Sequence, residues 1–156
     1  MDKKYILFIA GDPVDIILAQ MVFRDSEVEN ELSIVSSFDQ ALKFVRKEMP
    51  YEHEHAPDLI VVDFNTSDLK GWVFLREVKA DPVLKRIPVI VINLLMLEHD
   101  ISRLYDLNVN CCIRKPVDIE EYTKVIEKID RFWLNTVRFD HSRSRISAQT
   151  RSEAVS

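Results

Sequence analysis

Leu59-Ile60-Val61-Val62-Asp63 is a run of four aliphatic residues closed by a carboxylate. It is apolar at every position rather than at alternate ones. That pattern predicts a strand buried on both faces, as at the centre of a parallel sheet. A second run, Cys111-Cys112-Ile113, is closed by Lys115-Pro116 after Arg114. Parallel strands finish at a common edge, so the carboxylate of Asp63 and the amine of Lys115 are expected to meet there.

The segments on either side repeat one theme. Tyr5 to Ala10 is an apolar run of strand length that stops at Gly11-Asp12-Pro13. Asp12 suits a helix cap and Pro13 a first helical turn. The helix that follows would carry Val14, Ile17, Leu18, Met21 and Val22 on one apolar face. Leu32 to Val35 predicts a second strand. Ser37 then caps a helix with Ala41, Leu42 and Val45 inward, ended by Pro50. Beyond Asp63, Gly71 precedes a helix carrying Val73, Phe74, Leu75 and Val78, stopped by Asp81-Pro82. Pro88 to Ile92 predicts a fourth strand, Glu98 to Leu107 a weaker helix, and Val109 to Ile113 a fifth strand. Asp118 caps a last helix with Ile119, Tyr122, Val125, Ile126, Ile129, Phe132 and Trp133 facing in. Alternating strands and helices imply an α/β fold, a parallel sheet with helices on both faces.

Composition narrows the function classes. The 156 residues fit one domain, and 47% hydrophobic content can fill its core. The net charge of -5 argues against nucleic-acid binding. No apolar stretch approaches the roughly 18 to 20 residues that span a bilayer, and no signal-peptide pattern is visible, so a cytoplasmic protein is expected. With only Gly11 and Gly71, the chain lacks glycine-rich dinucleotide and nucleotide loops. Cys111 and Cys112 are adjacent, point to opposite strand faces and are expected to stay reduced. His53 and His55 lie among Glu52 and Glu54 in a polar loop and read as solvated rather than metal-binding. From about Asp140 the chain loses apolar periodicity and fills with Ser, Arg and Thr. Residues 1–138 are therefore expected to form the domain and 139–156 a disordered tail.

The strand ends offer Gly11-Asp12, Asp63, Asn93 and Lys115. With P-D-L-I-V-V-D at Pro57 to Asp63, Gly71 eight residues on, K-A-D-P and I-P-V-I-V-I through Lys79 to Ile92, and R-K-P-V-D at Arg114 to Asp118, the chain resembles the receiver domain of bacterial two-component response regulators. The resemblance covers about residues 4 to 138. Phe132-Trp133 near the end of the last helix resembles the single-domain branch associated with bacterial phytochromes. The resemblance implies a flavodoxin-like doubly wound (βα)5 sheet of strand order 2-1-3-4-5. It implies that Asp63 stands at the phosphoacceptor position, that Lys115 pairs with the phosphoryl oxygens, and that Asn93 replaces the Ser or Thr that carries the switch. It also implies a magnesium ion held by Asp63, by the backbone carbonyl of Asn65 and by acids at the end of the first strand. The implied partner is a sensor histidine kinase, and the long last helix allows a homodimer.

Aligned on Pro13, Ala10 and Gly11 stand where the two principal metal-ordering acids belong, and Asp12 matches the third, less important one. Bulky Leu94 follows Asn93, Cys112 takes the place of the switch aromatic, and Ser67 that of a common proline. One carboxylate, a carbonyl and waters make a weak magnesium site. The expectation is a degenerate receiver that acts through protein contacts, with phosphorylation slow or absent. The alternative is a small flavodoxin-like binding protein or enzyme using the same sheet edge. Against an enzyme, no nucleophile, base and third orienting group can be assembled.

Overall fold

The structure is a computed structural model that describes residues 2–95 and 97–136. The expected tail over 139–156 lies outside the described residues. Five strands, β1 (Lys4–Ile9), β2 (Asn30–Val35), β3 (Leu59–Asp63), β4 (Val89–Asn93) and β5 (Cys111–Arg114), pair in parallel in the order β2-β1-β3-β4-β5. Between and after them run α1 (Pro13–Arg24), α2 (Phe38–Val45), α3 (Leu69–Ala80), α4 (Glu98–Asp106) and α5 (Ile119–Ile129). The last continues into a π-helical segment over Asp130–Thr136. This is the flavodoxin-like architecture expected from the sequence.

The two-residue side-chain period divides the sheet between two cores. Leu7, Ile9, Ile60, Val62, Val89 and Val91 pack with α2 and α3 through Phe44, Phe74 and Leu75. Ile6, Phe8, Leu59, Val61, Ile90 and Ile92 pack against α1 and α5 through Ala19, Phe23, Tyr122 and Ile126. β3 is central and its first four residues are fully buried. Asp63, two residues beyond Val61, continues the α1–α5 face. Cys111 and Cys112 are free and join opposite cores, as their adjacency predicts.

Three helix expectations shift. In α1 the buried residues are Asp15, Ala19, Val22 and Phe23, while Val14, Ile17 and Met21 are about half exposed. The predicted inward face is thus rotated. Val14 to Phe23 carries only two polar residues, Asp15 and Gln20, so its periodicity cannot single out one face. α2 stops at Val45 rather than at Pro50, with Lys47 just beyond it in the left-handed region at φ 56°. Gly71 lies inside α3, not before it. The cap is Asp68, whose side chain accepts from the Lys70 N–H at 3.0 Å.

A fourth shift concerns the last helix: Trp133 is half-buried against the core, but Ile119 and Phe132, expected to face in, are each more than half exposed.

A Cβ on Gly71 would overlap Cε1 and Cδ1 of Phe64, whose ring is buried edge-on against Trp72. Alanine in a helix interior ordinarily gains about 1 kcal/mol over glycine. Overpacking a full core costs about 1–3 kcal/mol. Gly71→Ala should therefore lower the urea midpoint instead of raising it.

Candidate functional site

The carboxyl edge of the sheet is where the named side chains gather. β3 delivers Asp63, and β5 runs on into Lys115. The Lys115 N–H donates to the Asn93 carbonyl at 2.8 Å, which fixes the end of β5 against the end of β4. After β1 the chain passes through buried Ala10 and exposed Gly11 to Asp12. The Asp12 carboxylate accepts the Val14 N–H at 2.8 Å and caps α1. That places Asp15 in the first turn of α1, 5% exposed and turned toward β3 and β5.

Lys115 is the hub. Its Nζ lies 2.8 Å from Oδ2 of Asp63 and 2.5 Å from Oδ2 of Asp15. Burial works against the ammonium, but the two carboxylates outweigh it and raise its pKa. Burial also pushes the Asp63 carboxyl up to about 6. The neighbouring Asp15 adds to that rise and Lys115 opposes it. Tyr122 of α5 lies beneath, with Lys115 Nζ 5.5 Å from its ring centroid. Burial first, and then the charges of Asp15, Asp63 and Asp12, raise the pKa of its phenol. The phenol is neutral, and its buried hydroxyl meets no hydrogen-bond partner among the described residues.

The remaining predicted residues are engaged locally. The Asn93 amide closes on its own loop: Nδ2 donates to the Leu95 carbonyl at 2.7 Å and Oδ1 accepts the Leu95 N–H at 3.2 Å. The Asn65 carbonyl accepts the Asp68 N–H at 2.9 Å, and its side chain accepts from the N–H and hydroxyl of Ser67. Trp72 Nε1 donates to the Thr66 carbonyl at 2.9 Å and pins this loop to α3. Asp12, Asp63, Asn65, Asn93 and Lys115 all border one cavity of about 630 Å³. Sequence reasoning brought these five together and missed two. Asp15 was assigned no role, although it is the only acid between Val14 and Ala19. Tyr122 was expected only to face the core. Its signal was a phenol one helical turn after the capping Asp118.

A profile of the response regulator receiver domain matches residues 6–127. The chain belongs to the response regulator receiver family. This receiver is 35% identical over 134 residues to the response regulator Rcp1 of Synechocystis sp., covering 86% of this chain and 91% of that one. Among solved structures it is similar to the phosphorylated cyanobacterial phytochrome response regulator RcpA, at 36% identity and a TM-score of 0.83 over 88% of this chain and 99% of the other. The Mn(2+)-bound form of Rcp1 gives 34% identity, the same TM-score and the same coverage. Receivers of this family are generally signalling modules.

Magnesium is the ion this family implies, and the donor set here does not fit it. Hard cations need several free oxygens in near-octahedral array. Ala10 and Gly11 supply no side-chain oxygen, Asp12 is turned to its cap, and the Asn65 carbonyl already accepts a hydrogen bond. Asp15 and Asp63 hold an ammonium instead. Among the described residues no group of three or more His, Cys, Asp or Glu is arranged to hold a metal ion.

The Asp63 proton links this site to stability. Its carboxyl titrates near 6 when folded against 3.8 for a free side chain, so the folded state holds the extra proton between those values. Stability should therefore fall as pH rises from about 4 through about 6. Asp63→Asn should remove that fall and be more stable than the parent above about pH 7, by about 1–2 kcal/mol after allowing for solvent screening. Urea unfolding across this range measures it. Asp15→Asn should lower the Asp63 pKa, as read by carboxyl carbon NMR.

Proposed function

We propose that this chain is a stand-alone receiver of a phytochrome-type two-component pathway, in which signals pass through protein contacts and magnesium-dependent phosphorylation of Asp63 is slow or absent. One observation carries the reading: the Lys115 ammonium is held by Asp15 and Asp63 together. A phosphoryl group brings about two negative charges. Phosphoryl transfer to Asp63 depends on positioned positive charge around those oxygens. Here Lys115 would have to leave Asp15, Asn93 to leave Leu95, and the incoming charge to face Asp15 directly. The phytochrome assignment rests on the similarity to Rcp1 and to RcpA.

The partner is a sensor histidine kinase or another signalling protein. Val14, Ile17 and Met21 form an exposed apolar stripe along α1, and Val117 and Ile119 continue it at the start of α5. Spacing of three and four residues on a helix suits packing against a partner helix. Phe132, 53% exposed beyond α5, offers a separate surface for a homodimer. The receiver unit is assigned to residues 1–138 of a cytoplasmic protein. No helix among the described residues is long and apolar enough to cross a membrane.

Intact-mass measurement after incubation with acetyl phosphate and magnesium tests the phosphorylation reading. The expected spectrum is unchanged or gains one phosphoryl group only slowly. A rapid, stoichiometric gain that Asp63→Asn abolishes would overturn it. For the contact surface, Ile17→Glu should weaken binding to a phytochrome-type sensor kinase by about tenfold or more without shifting the melting temperature, since the side chain is already in solvent.

A further inference from the structure

Helix α4 is the least anchored helix of the fold. It starts after Leu97, which gives no side-chain cap, whereas the other four helices each have one. Only Asp100 and Leu104 are buried along it. Besides the packing of Leu104, two side chains hold its C-terminal half. The Tyr105 hydroxyl accepts the Cys112 N–H at 3.3 Å. The Arg103 guanidinium lies over the Trp72 ring, 3.9 Å from its centroid. Arg103 is otherwise exposed, and its side chain has no other partner among the described residues. A guanidinium is weakly hydrated and stacks well on an indole, so this contact fixes where α4 lies against α3.

Trp72 also faces the other way, toward Asp63. It is 4% exposed, and Phe64 meets it edge-on with ring centroids 5.1 Å apart. Its Nε1–H donates to the Thr66 carbonyl at 2.9 Å. Thr66 belongs to the short loop that leaves Asp63. Its neighbours close on one another: the Asn65 side chain accepts from Ser67, and the Asn65 carbonyl accepts the Asp68 N–H. One indole therefore bonds this loop through its ring edge and carries α4 on its ring face. Both contacts need the same ring orientation. A turn of the Thr66 carbonyl would strip a buried N–H of its partner, which is costly, and would unsettle the ring beneath Arg103. The position of α4 matters at the surface, because Leu94, Leu95 and Leu97 on the segment leading into it are each about half exposed or more.

We infer that Trp72 and Arg103 form a coupling device that ties the conformation of loop 64–68 to the position of α4. The link runs through α3 and does not use Asn93, whose amide is spent on Leu95. It holds whether or not Asp63 accepts a phosphoryl group. Any event that shifts the loop shifts the helix, and by reciprocity a partner that grips α4 shifts the loop.

Hydrogen exchange on the full chain, read residue by residue by NMR, tests the link from both ends. Arg103→Gln removes the guanidinium at an exposed position. It should speed exchange of Trp72 Nε1–H and of the Ser67 and Asp68 amides about threefold, the loss expected of one such stack. Ser67→Ala removes a hydroxyl donor from the loop, also at an exposed position. It should speed exchange of the Asp100 and Ile101 amides, both of which donate to the Leu97 carbonyl. The Tyr5 amide, which donates to Asp58 elsewhere in the fold, should change in neither variant. With Trp72→Phe in place, Arg103→Gln should no longer reach the loop. Effects confined to α4 in Arg103→Gln, or to the loop in Ser67→Ala, overturn the inference. An equal change at Tyr5 overturns it as well, since that marks a general loss of stability, and so does transmission that survives Trp72→Phe. Should Trp72→Phe fail to fold, the two exposed variants decide by themselves.

Discussion

One ammonium shared by two carboxylates organises the functional end of this molecule. Lys115 leaves the last strand, Asp63 ends the central strand, and Asp15 sits in the first turn of α1. Three elements distant in sequence are therefore tied at a single atom. Taking such charges out of water is costly, and the cost is offset only when the partners are close and well aligned. Removing Lys115 would leave two carboxylates facing each other. Removing either acid would leave the other to bear the ammonium alone. The strain of the arrangement falls on Asp63, whose carboxyl titrates near 6.

The rest of the fold holds that arrangement in place. A parallel sheet puts every strand end and every following helix start along one edge. Four of the five helix starts are capped by side chains along this edge: Asp12 on Val14, Ser37 on Gln40, Asp68 on Lys70 and Asp118 on Glu120. Behind them the two cores are apolar, so the strands cannot slide without displacing buried aliphatic side chains. Even the glycine of α3 is dictated by this packing, because Phe64 fills the space where a side chain would go.

In this receiver the carboxylates of the site are paired with the chain's own lysine. Relatives of this chain include proteins described in phosphorylated and manganese-bound forms. In this chain β1 runs into Ala10 and Gly11, which carry no side-chain oxygen, and the positive charge between Asp15 and Asp63 belongs to the protein itself. The neighbouring surface changes with it. The α1 residues left outside by the inward turn of Asp15 are apolar, and with Val117 and Ile119 they leave an exposed apolar surface beside the cavity.

Sequence alone determined the α/β class, the strand positions within a residue or two, and the meeting of Asp63 with Lys115. Each of these follows from local pattern: runs of aliphatic residues bounded by capping and turn residues, with charges at the ends of the runs. It also showed that β1 is followed by Ala10 and Gly11, which carry no carboxylate. Tertiary structure decided which face of α1 turns inward, that Gly71 lies inside a helix under an aromatic ring, and that Asn93 spends its amide on Leu95. Above all it brought in Asp15 and left the Tyr122 hydroxyl without a partner among the described residues. Asp15 and Lys115 are 100 residues apart. No local periodicity can signal such a pair, because a carboxylate on an apolar helix turns inward only when a distant strand supplies the cation that makes its burial favourable.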